Sequence, residues 1–353
     1  WNSKVAELRG IDQQTPPLGR CLMTIEGTGE NSPVFLRGNP KELGDVVSRG
    51  DLSATAYSLG NAENASAERS GSGRREMANV LVASKNPLTS RVVVNRVWAQ
   101  LFGRGLVDTT DNLGVLGGRP SHPELLDYLS LEMMRNSWSL KYLVRELVLS
   151  HSYRLSSEVD SERLAADPSN LWWSYMPVKR LSAEILRDRL LQLGGDLNLT
   201  MCGPSVAAHI TPEMQGRGRP GSSGPLNGNG RRSVYLEIRR NFPNPLLTAF
   251  DLPTPQAPQT KRNQSNVPAQ ALALLNDPLV YDQCQKWCNR LKAMQLAPED
   301  QLQKMFEESL GRRGEIKEVS LMLAYLKEAN YSDQAWFDVA HTLLNRKEFL
   351  FIR

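Results

Sequence analysis

The chain has 353 residues, of which 40% are hydrophobic and 23% charged, as in a soluble globular protein with one large or two moderate domains. Its formal net charge of +4 does not indicate general attraction to nucleic acid or membranes, and no run of about 18 apolar residues predicts a transmembrane helix. Because the chain begins at Trp1 without a basic and apolar leader, we expect a processed or excised piece.

The N-terminal residues carry few helical signals. The stretch SPVFLRGNP predicts one short strand near 33–37 that ends in a turn. A single strand needs partners, so we expect residues 1–58 to be an extended segment that completes an upstream domain or a partner chain. The small, polar, Gly- and Ser-rich residues 59–75 predict a linker.

Residues 76–353 are predicted to form a helical domain whose first helices have clear start and stop signals. Ser121, with a glutamate three residues later, has the pattern of a capping box. Ser139 precedes an apolar stripe of helical period. Ser182 is predicted to cap a third helix, which Gly194 ends.

The middle of the chain has a different composition. Residues 203–232 are saturated with Gly and Pro and rich in Arg, which predicts a long loop. The following RRSVYLEIRRN alternates apolar and polar residues and predicts a strand near 233–239. A proline-punctuated segment follows, with one helical turn expected at 246–250.

The C-terminal third is predicted to be helical again. Asp277 and Pro278 have the pattern of an N-cap and first helical residue. Apolar stripes predict further helices over 300–310, 315–329 and 333–345. The predicted class is therefore mainly α, a multi-helix globular body with a small β component, because the strands are too few for a βαβ sheet.

One predicted helix carries candidate site residues. The apolar positions of NPLTSRVVVNRVWAQLFGRG fit a helix that Gly103 ends, with Arg91, Asn95 and Arg96 threaded through it. These polar residues either present a guanidinium and an amide to an anion or a sugar hydroxyl, or connect the helix to its neighbours by internal hydrogen bonds. We favour the internal role.

A second candidate lies at the two ends of the predicted 233–239 strand. Arg231 and Arg232 precede it, and Arg239 and Arg240 follow it. Guanidinium groups bind sulfate, phosphate and carboxylate bidentately, so these pairs could form one wall of an anion site whose other wall is the Arg91 helix. The alternative is a solvated loop with its charges directed to water.

No metal or cofactor site is predicted within this chain. The four histidines are isolated in sequence, and the cysteines form neither a zinc pair nor a haem-attachment motif. Cys284 and Cys288 are predicted to be small buried hydrophobes on one helix face. The stretch DTTDN at 108–112 lacks the glycine and the distal glutamate of a calcium loop.

Ordered sequence stretches carry a family resemblance over nearly the whole chain, from about Val34 to Ile352. They include NPLTSRVVVNRVWAQLFGRGLVDTTDNLG, SHPELLDYL, WSLKYLVRELVLSHSYRLSS, KRLSAEILRDRLL, RRSVYLEIRRN, NVPAQALALLN and LLNRKEFLFI. Together they resemble the domain of unknown function 1553, a family abundant in planctomycetes and verrucomicrobia.

This resemblance implies a context. In the family the domain closes a longer exported protein with a cytochrome c-like domain, encoded beside sulfatase-like or phosphatase-like secreted partners in bacteria that consume polysaccharides. It therefore implies an extracytoplasmic location, with haem c only on upstream domains or a partner chain. The resemblance identifies no catalytic residue in this chain.

Three functional hypotheses follow. We favour a non-catalytic binding or scaffolding module that binds an anionic or sulfated glycan. The first alternative is a subunit of a periplasmic polysaccharide-linked oxidoreductase that passes electrons to a cytochrome c domain, with His122 joining the arginines in its site. The second is a structural subunit of an extracellular assembly. Nucleic acid is not an expected partner, because aromatic residues are not interleaved with the arginines.

Overall fold

The chain divides into two units, Trp1–Val93 and Val94–Arg353. The computed structural model describes most of the chain, namely residues 4–5, 23–27, 29–49, 71–256, 259 and 261–352. Across these described residues there are thirteen α-helices and two two-stranded sheets, which confirms the mainly α class with a small β component. Most of the predicted linker, together with Cys21, lies outside the described residues.

The first unit contains a β-hairpin and a helix. Strand β1 (Ser32–Phe35) pairs antiparallel with β2 (Leu43–Val47), and a 3₁₀ turn follows β1 directly. The strand predicted near 33–37 is confirmed, but the expectation that it is a lone strand is wrong. The sequence LGDVV did not show a second strand because Gly and Asp are rare in strands and break its alternation. Helix α1 spans Arg74–Leu81.

The hairpin leaves its apolar side chains uncovered. Between 46% and 67% of the surface of each of the following side chains is exposed: Val34, Phe35, Leu36, Leu43, Val46 and Val47. Monomeric proteins rarely expose large apolar patches, so this number of exposed apolar side chains on one hairpin is unusual. The role of this segment in completing another domain or chain stays a prediction.

Twelve further helices are described after α1. Their bounds are α2 Thr89–Phe102, α3 Pro123–Arg135, α4 Leu140–Leu149, α5 Ser161–Ala166, α6 Ala183–Gly194, α7 Pro245–Ala249, α8 Pro268–Asn276, α9 Pro278–Lys292, α10 Pro298–Leu310, α11 Ile316–Glu328, α12 Asp333–Leu344 and α13 Lys347–Leu350. Five begin at a proline, a residue whose fixed φ suits the first helical position. Every helix predicted in the C-terminal third is confirmed to within about two residues, the usual uncertainty of a helix end.

Most predicted caps are confirmed. The Ser139 hydroxyl accepts from the amide of Tyr142 at the start of α4, and the Asp277 carboxylate accepts from the amide of Leu279 at the start of α9. Ser182 is the N-cap of α6, and a left-handed Gly195 follows Gly194 at its end. Left-handed backbone at this position suits glycine because it has no Cβ.

The predicted cap at Ser121 is wrong. The N-cap of α3 is His122, and Pro123 is its first helical residue. The Ser121 hydroxyl lies 3.0 Å from the Nδ1 of His122, and the Ser121 amide donates to the carbonyl of Leu106. These local partners place Ser121 outside the helix, one residue before the cap.

The core of the second unit is formed by α6 against α9, with α12 packed on α9 and with α10 and α11 packed on α12. Trp287 and Cys284 of α9 and Leu190 and Leu191 of α6 have no exposed surface. The Trp287 indole donates to the Glu308 carboxylate at 2.8 Å, so the polar atom of this buried side chain is satisfied. Strands β3 (Lys179–Arg180) and β4 (Phe351–Ile352) pair antiparallel and join the C-terminus to the start of α6.

The strand predicted near 233–239 takes another form. Ser233–Tyr235 is a 3₁₀ turn, and Leu236 forms a single parallel bridge with Val206. A side-chain contact explains why a 3₁₀ turn replaces the predicted strand. The Asp188 carboxylate accepts hydrogen bonds from both the amide and the hydroxyl of Ser233, each at 2.7 Å. This contact gives the backbone a partner other than a strand.

Candidate functional site

A large cleft lies within the second unit. Its volume is about 1340 Å³, and its lining comes from the end of α2, the start of α6, the loop before Leu236, and the segment after α7. Ten of the lining residues are Lys or Arg and five are Asp or Glu. The cleft therefore has a surplus of positive charge, and low-dielectric walls concentrate its effect on a charged ligand.

Arg187 is a buried residue of the cleft lining that positions the Gly-rich loop. Its side chain on α6 is 1% exposed, and burial lowers the pKa of its guanidinium from the ordinary value. Nη2 donates to the carbonyl of Asn227 at 2.7 Å, and Nη1 donates to the carbonyl of Arg231 and the hydroxyl of Ser233, both at 3.1 Å. A buried charge is tolerated only with such partners, so Arg187 fixes the end of the Gly-rich loop on α6.

A buried ion pair, Arg180 with Asp251, fixes another part of the lining. Arg180 of β3 donates to the Asp251 carboxylate at 2.5 Å and to the carbonyl of Ser265 at 2.6 Å. Burial alone would raise the pKa of Asp251, but hydrogen bonds from the Ser265 amide and from Arg180 hold it below the ordinary value. This pair joins the segment after α7 to β3.

Lys179 ties β3 to the end of α2. Its Nζ donates to the carbonyls of Leu101 at 2.6 Å and Gln100 at 3.1 Å, both in the last turn of that helix. Carbonyls in the last turn lack helical partners, and an ammonium group stabilises them. Burial lowers the pKa of Lys179. The Lys179 ammonium group therefore stabilises the end of α2.

Four other lining arginines keep their charge available. Among the described residues, neither Arg96 nor Arg240 has a hydrogen-bond or ion-pair partner. Arg232 lies 3.8 Å from the Asp188 carboxylate, and Arg239 forms a 2.9 Å pair with Glu237. In both pairs the arginine is exposed and the carboxylate is only partly buried, and ion pairs near the surface contribute little to stability. An anionic ligand could compete for these arginines at low cost.

The structure brings together four of the seven predicted site residues. Arg96, Arg232, Arg239 and Arg240 line the cleft. The lining thus combines one arginine from the α2 sequence with three from the ends of the predicted strand. Of the α2 residues expected to face these arginines, only Arg96 does so, and Arg91 and Asn95 do not line the cleft.

The other three predicted site residues lie outside the lining. The Asn95 side chain is fully buried and hydrogen-bonds to both main-chain groups of Val107. Arg91 donates to the carbonyl of Pro87 at 2.6 Å, two residues before the start of its own helix. Arg231 donates to the carbonyl of Cys202 and lies 4.1 Å from the ring centre of Tyr235. Each has a local structural partner.

Sequence reasoning missed several lining residues. Lys179, Arg180, Arg262 and Lys261 are far from the arginine run in sequence, and only folding places them beside it. Thr110 was also missed. It is 7% exposed, and its hydroxyl has no partner among the described residues. Spacing carried no signal for these positions.

Aliphatic side chains share the lining with the arginines. Val234 is 71% exposed, Ile238 is 65% exposed and Ile185 is 48% exposed. The lining aromatics, Phe242 and Phe250, are buried. The accessible surface of the cleft is therefore cationic and aliphatic.

Within the described residues, no cluster of three or more His, Cys, Asp or Glu side chains could hold a metal ion. In the same part of the chain, no helix is both long and apolar enough to cross a membrane. In the DTTDN stretch at 108–112, which lacks the calcium-loop pattern, Asp108 forms a 3.4 Å pair with Lys261.

Comparison with known proteins identifies a family over most of the chain. The matching family model, PSD1, is described as a protein of unknown function (DUF1553) and covers residues 73–326. No curated protein and no solved structure matches the chain significantly. Since the match covers well over half of the sequence and includes almost the entire cleft lining, the chain belongs to the DUF1553 family.

Proposed function

We propose that this protein is a non-catalytic binding module whose cleft holds a polyanionic ligand. The observation that carries the proposal is the set of four arginines, Arg96, Arg232, Arg239 and Arg240, whose charges are not neutralised by buried partners. Buried partners do occupy Arg180 and Arg187 in the same lining, so the two groups have different roles: one builds the cleft and the other faces the ligand.

Guanidinium chemistry suits this role. A planar guanidinium donates two parallel hydrogen bonds to a sulfate, phosphate or carboxylate group, and it stays charged at every physiological pH. Several such groups along one cleft would bind successive anionic groups of one chain. A sulfated glycan is the ligand that the sequence hypothesis implies.

The wider context is also a proposal. We expect the module to act outside the cytoplasm, with haem c on upstream domains or on a partner chain. The uncovered apolar hairpin β1–β2 supports contact with another domain or chain, because monomeric proteins rarely leave such surface exposed. A sulfatase-like or phosphatase-like secreted protein and a polysaccharide are candidate partners.

The test is titration calorimetry with a sulfated oligosaccharide and with its desulfated counterpart. We expect the sulfated form to bind, with an affinity that falls as salt rises because the exposed charges are screened. In the double variant Arg239→Glu and Arg240→Glu, the affinity should fall by about tenfold or more, since attraction becomes repulsion.

A matched control separates cleft charge from total charge. Lys141 and Arg145 lie exposed on α4, outside the cleft lining, so the double variant Lys141→Glu and Arg145→Glu makes the same change in net charge elsewhere. We expect it to change the affinity by less than about twofold. Equal losses in both variants, or equal binding of the sulfated and desulfated forms, would contradict the proposal.

A further inference from the structure

One wall of the cleft has an unused main-chain edge. After the 3₁₀ turn, Leu236 has extended backbone, with φ −74° and ψ 137°. The segment bonds to Val206 on one side only: the Val206 amide donates to the carbonyl of Tyr235, and the Glu237 amide donates to the carbonyl of Val206, both at 2.8 Å. Residues 236–240 all line the cleft.

The opposite edge is free. Successive residues of an extended chain direct their main-chain groups to alternate edges. Because Tyr235 and Glu237 face Val206, the carbonyl of Leu236 and both main-chain groups of Ile238 belong to the other edge. Among the described residues, no hydrogen bond engages these three groups. A main-chain edge without hydrogen-bond partners is a template for another extended chain.

The side chains around this edge are of two chemical kinds. Val234 and Ile238 expose aliphatic surface, and Arg239 and Arg240 expose charge. Aliphatic surface is withdrawn from water favourably only by apolar ligand groups. A saccharide covered with hydroxyl and sulfate groups offers few of them, whereas a polypeptide offers carboxylates, aliphatic side chains and main-chain amides together.

We propose that the ligand of the cleft is an extended acidic segment of a partner protein. It adds a strand beside Leu236–Ile238, and its carboxylates bind Arg232, Arg239 and Arg240. Its aliphatic side chains cover Val234 and Ile238. This inference rests on the proposed polyanion-binding function and names the class of ligand. Main-chain pairing with side-chain selection is a known mode of peptide recognition.

The probe is a capped peptide of about nine residues in which Glu alternates with Val, long enough for one typical strand. Its controls are the peptide with Gln in place of Glu and a peptide with alternate main-chain amides N-methylated. By calorimetry, we expect each control to bind at least about tenfold more weakly, because one loses the charges and the other loses the strand pairing.

Two variants of the protein separate the main-chain contact from the side-chain contact. Ile238→Pro removes the free amide at the pairing edge, whereas Ile238→Ala keeps the amide and shortens the side chain. We expect the proline variant to bind the acidic peptide at least about fivefold more weakly than the alanine variant. Circular dichroism and urea denaturation check that both variants are folded.

The outcomes are distinct. If the sulfated oligosaccharide binds through Arg239 and Arg240 but the acidic peptide binds no better than its Gln counterpart, the polypeptide inference is wrong and the polyanion function stands. If neither ligand binds, both are wrong. Equal affinity of the N-methylated and unmodified peptides would overturn the strand pairing.

Discussion

The side-chain amide of Asn95 forms a closed pair of hydrogen bonds with the main chain of Val107. Nδ2 donates to the Val107 carbonyl at 2.9 Å, and Oδ1 accepts from the Val107 amide at 2.8 Å. Both residues are buried. Gly105 lies so close that a Cβ there would approach the Val107 carbonyl oxygen to 2.4 Å. Asn95 thus takes the place of a strand partner for the segment after α2.

Replacement of Asn95 by Ala should therefore destabilise the protein. Two buried main-chain groups would lose their partner, and each unsatisfied group costs about 1–3 kcal/mol. We expect the free energy of unfolding, measured by urea denaturation, to fall by about 2–4 kcal/mol. The adjacent Arg96 is exposed, so Arg96→Ala should change it by less than about 0.5 kcal/mol. Equal stability of the two variants would exclude this role for Asn95.

Arg187 should be required for the position of the Gly-rich loop. Arg187→Met keeps much of the buried volume but removes the side-chain donor of the Arg231 carbonyl, and it leaves the Asn227 carbonyl with only the Gly230 amide. We expect a loss of about 3–5 kcal/mol in the free energy of unfolding, as for other broken buried charge contacts. Limited trypsin digestion should also cut faster within 203–232, which contains several arginines.

The exposed Arg232 provides the comparison for this experiment. Its guanidinium is 3.8 Å from Asp188, and its side chain is 46% exposed. Arg232→Met should leave the free energy of unfolding within about 0.5 kcal/mol of the parent. It removes one trypsin site from the loop, so the comparison is the rate of cleavage after Arg217, which should stay unchanged. If Arg187→Met behaves in the same way, the loop is held by other contacts.

The sequence predicted most helices because their signals are local. The apolar stripe behind Ser139 and the Asp277–Pro278 cap are written in consecutive residues, and both elements are confirmed. The strand near 233–239 failed because its alternation was overridden by a distant carboxylate, that of Asp188. The second strand of the hairpin, β2, was missed because Gly and Asp obscure its alternation.

The cleft was only partly predictable for the same reason. Arg232, Arg239 and Arg240 are neighbours in sequence and could be seen as a basic cluster. The contribution of Lys179 and Arg180 depends on the pairing of β3 with β4, two elements separated by most of the domain. Pairing over such a distance leaves no periodic signal in the chain.

An ion-pair cluster in the C-terminal helices should make stability depend on pH. Glu318 of α11 pairs with Arg312 at 2.8 Å and Arg346 at 2.7 Å, and Arg312 also binds Glu348 at 2.9 Å. The hydrogen bond from Arg312 is the main cause that lowers the pKa of Glu318 to about 2, against burial that raises it. A carboxyl with a lowered pKa stabilises the fold above its ordinary pKa and loses this contribution as pH falls through the lowered value.

We therefore expect the free energy of unfolding to fall as the pH is lowered from about 5 to about 2. In Arg312→Ala, the pKa of Glu318 should return toward its ordinary value, and the slope over this interval should become smaller. Lys304→Ala removes only a marginal surface pair of 4.0 Å and should keep the parent slope. Parallel curves for the parent and Arg312→Ala would show that this cluster does not contribute to the pH dependence.

The three described cysteines should differ sharply in reactivity. Cys202 is exposed, whereas Cys284 and Cys288 are buried on α9, with their sulfur atoms 3.8 Å and 3.5 Å from the carbonyls of Phe337 and Trp336. The hydrogen bond with Cys288, together with burial, raises the pKa of the Cys284 thiol. A thiol reacts as its thiolate, so burial in this form suppresses reaction.

In a Cys21→Ser background, one thiol should react with Ellman's reagent on mixing, and the other two only as the protein unfolds. Adding Cys202→Ser should abolish the fast reaction. The slow reaction should then accelerate with urea in parallel with the loss of helical circular dichroism, because Cys284 lies in the core against α12. A fast reaction that persists without Cys202 would mean that α9 opens locally, and the packing of α9 on α12 would be looser than the structure indicates.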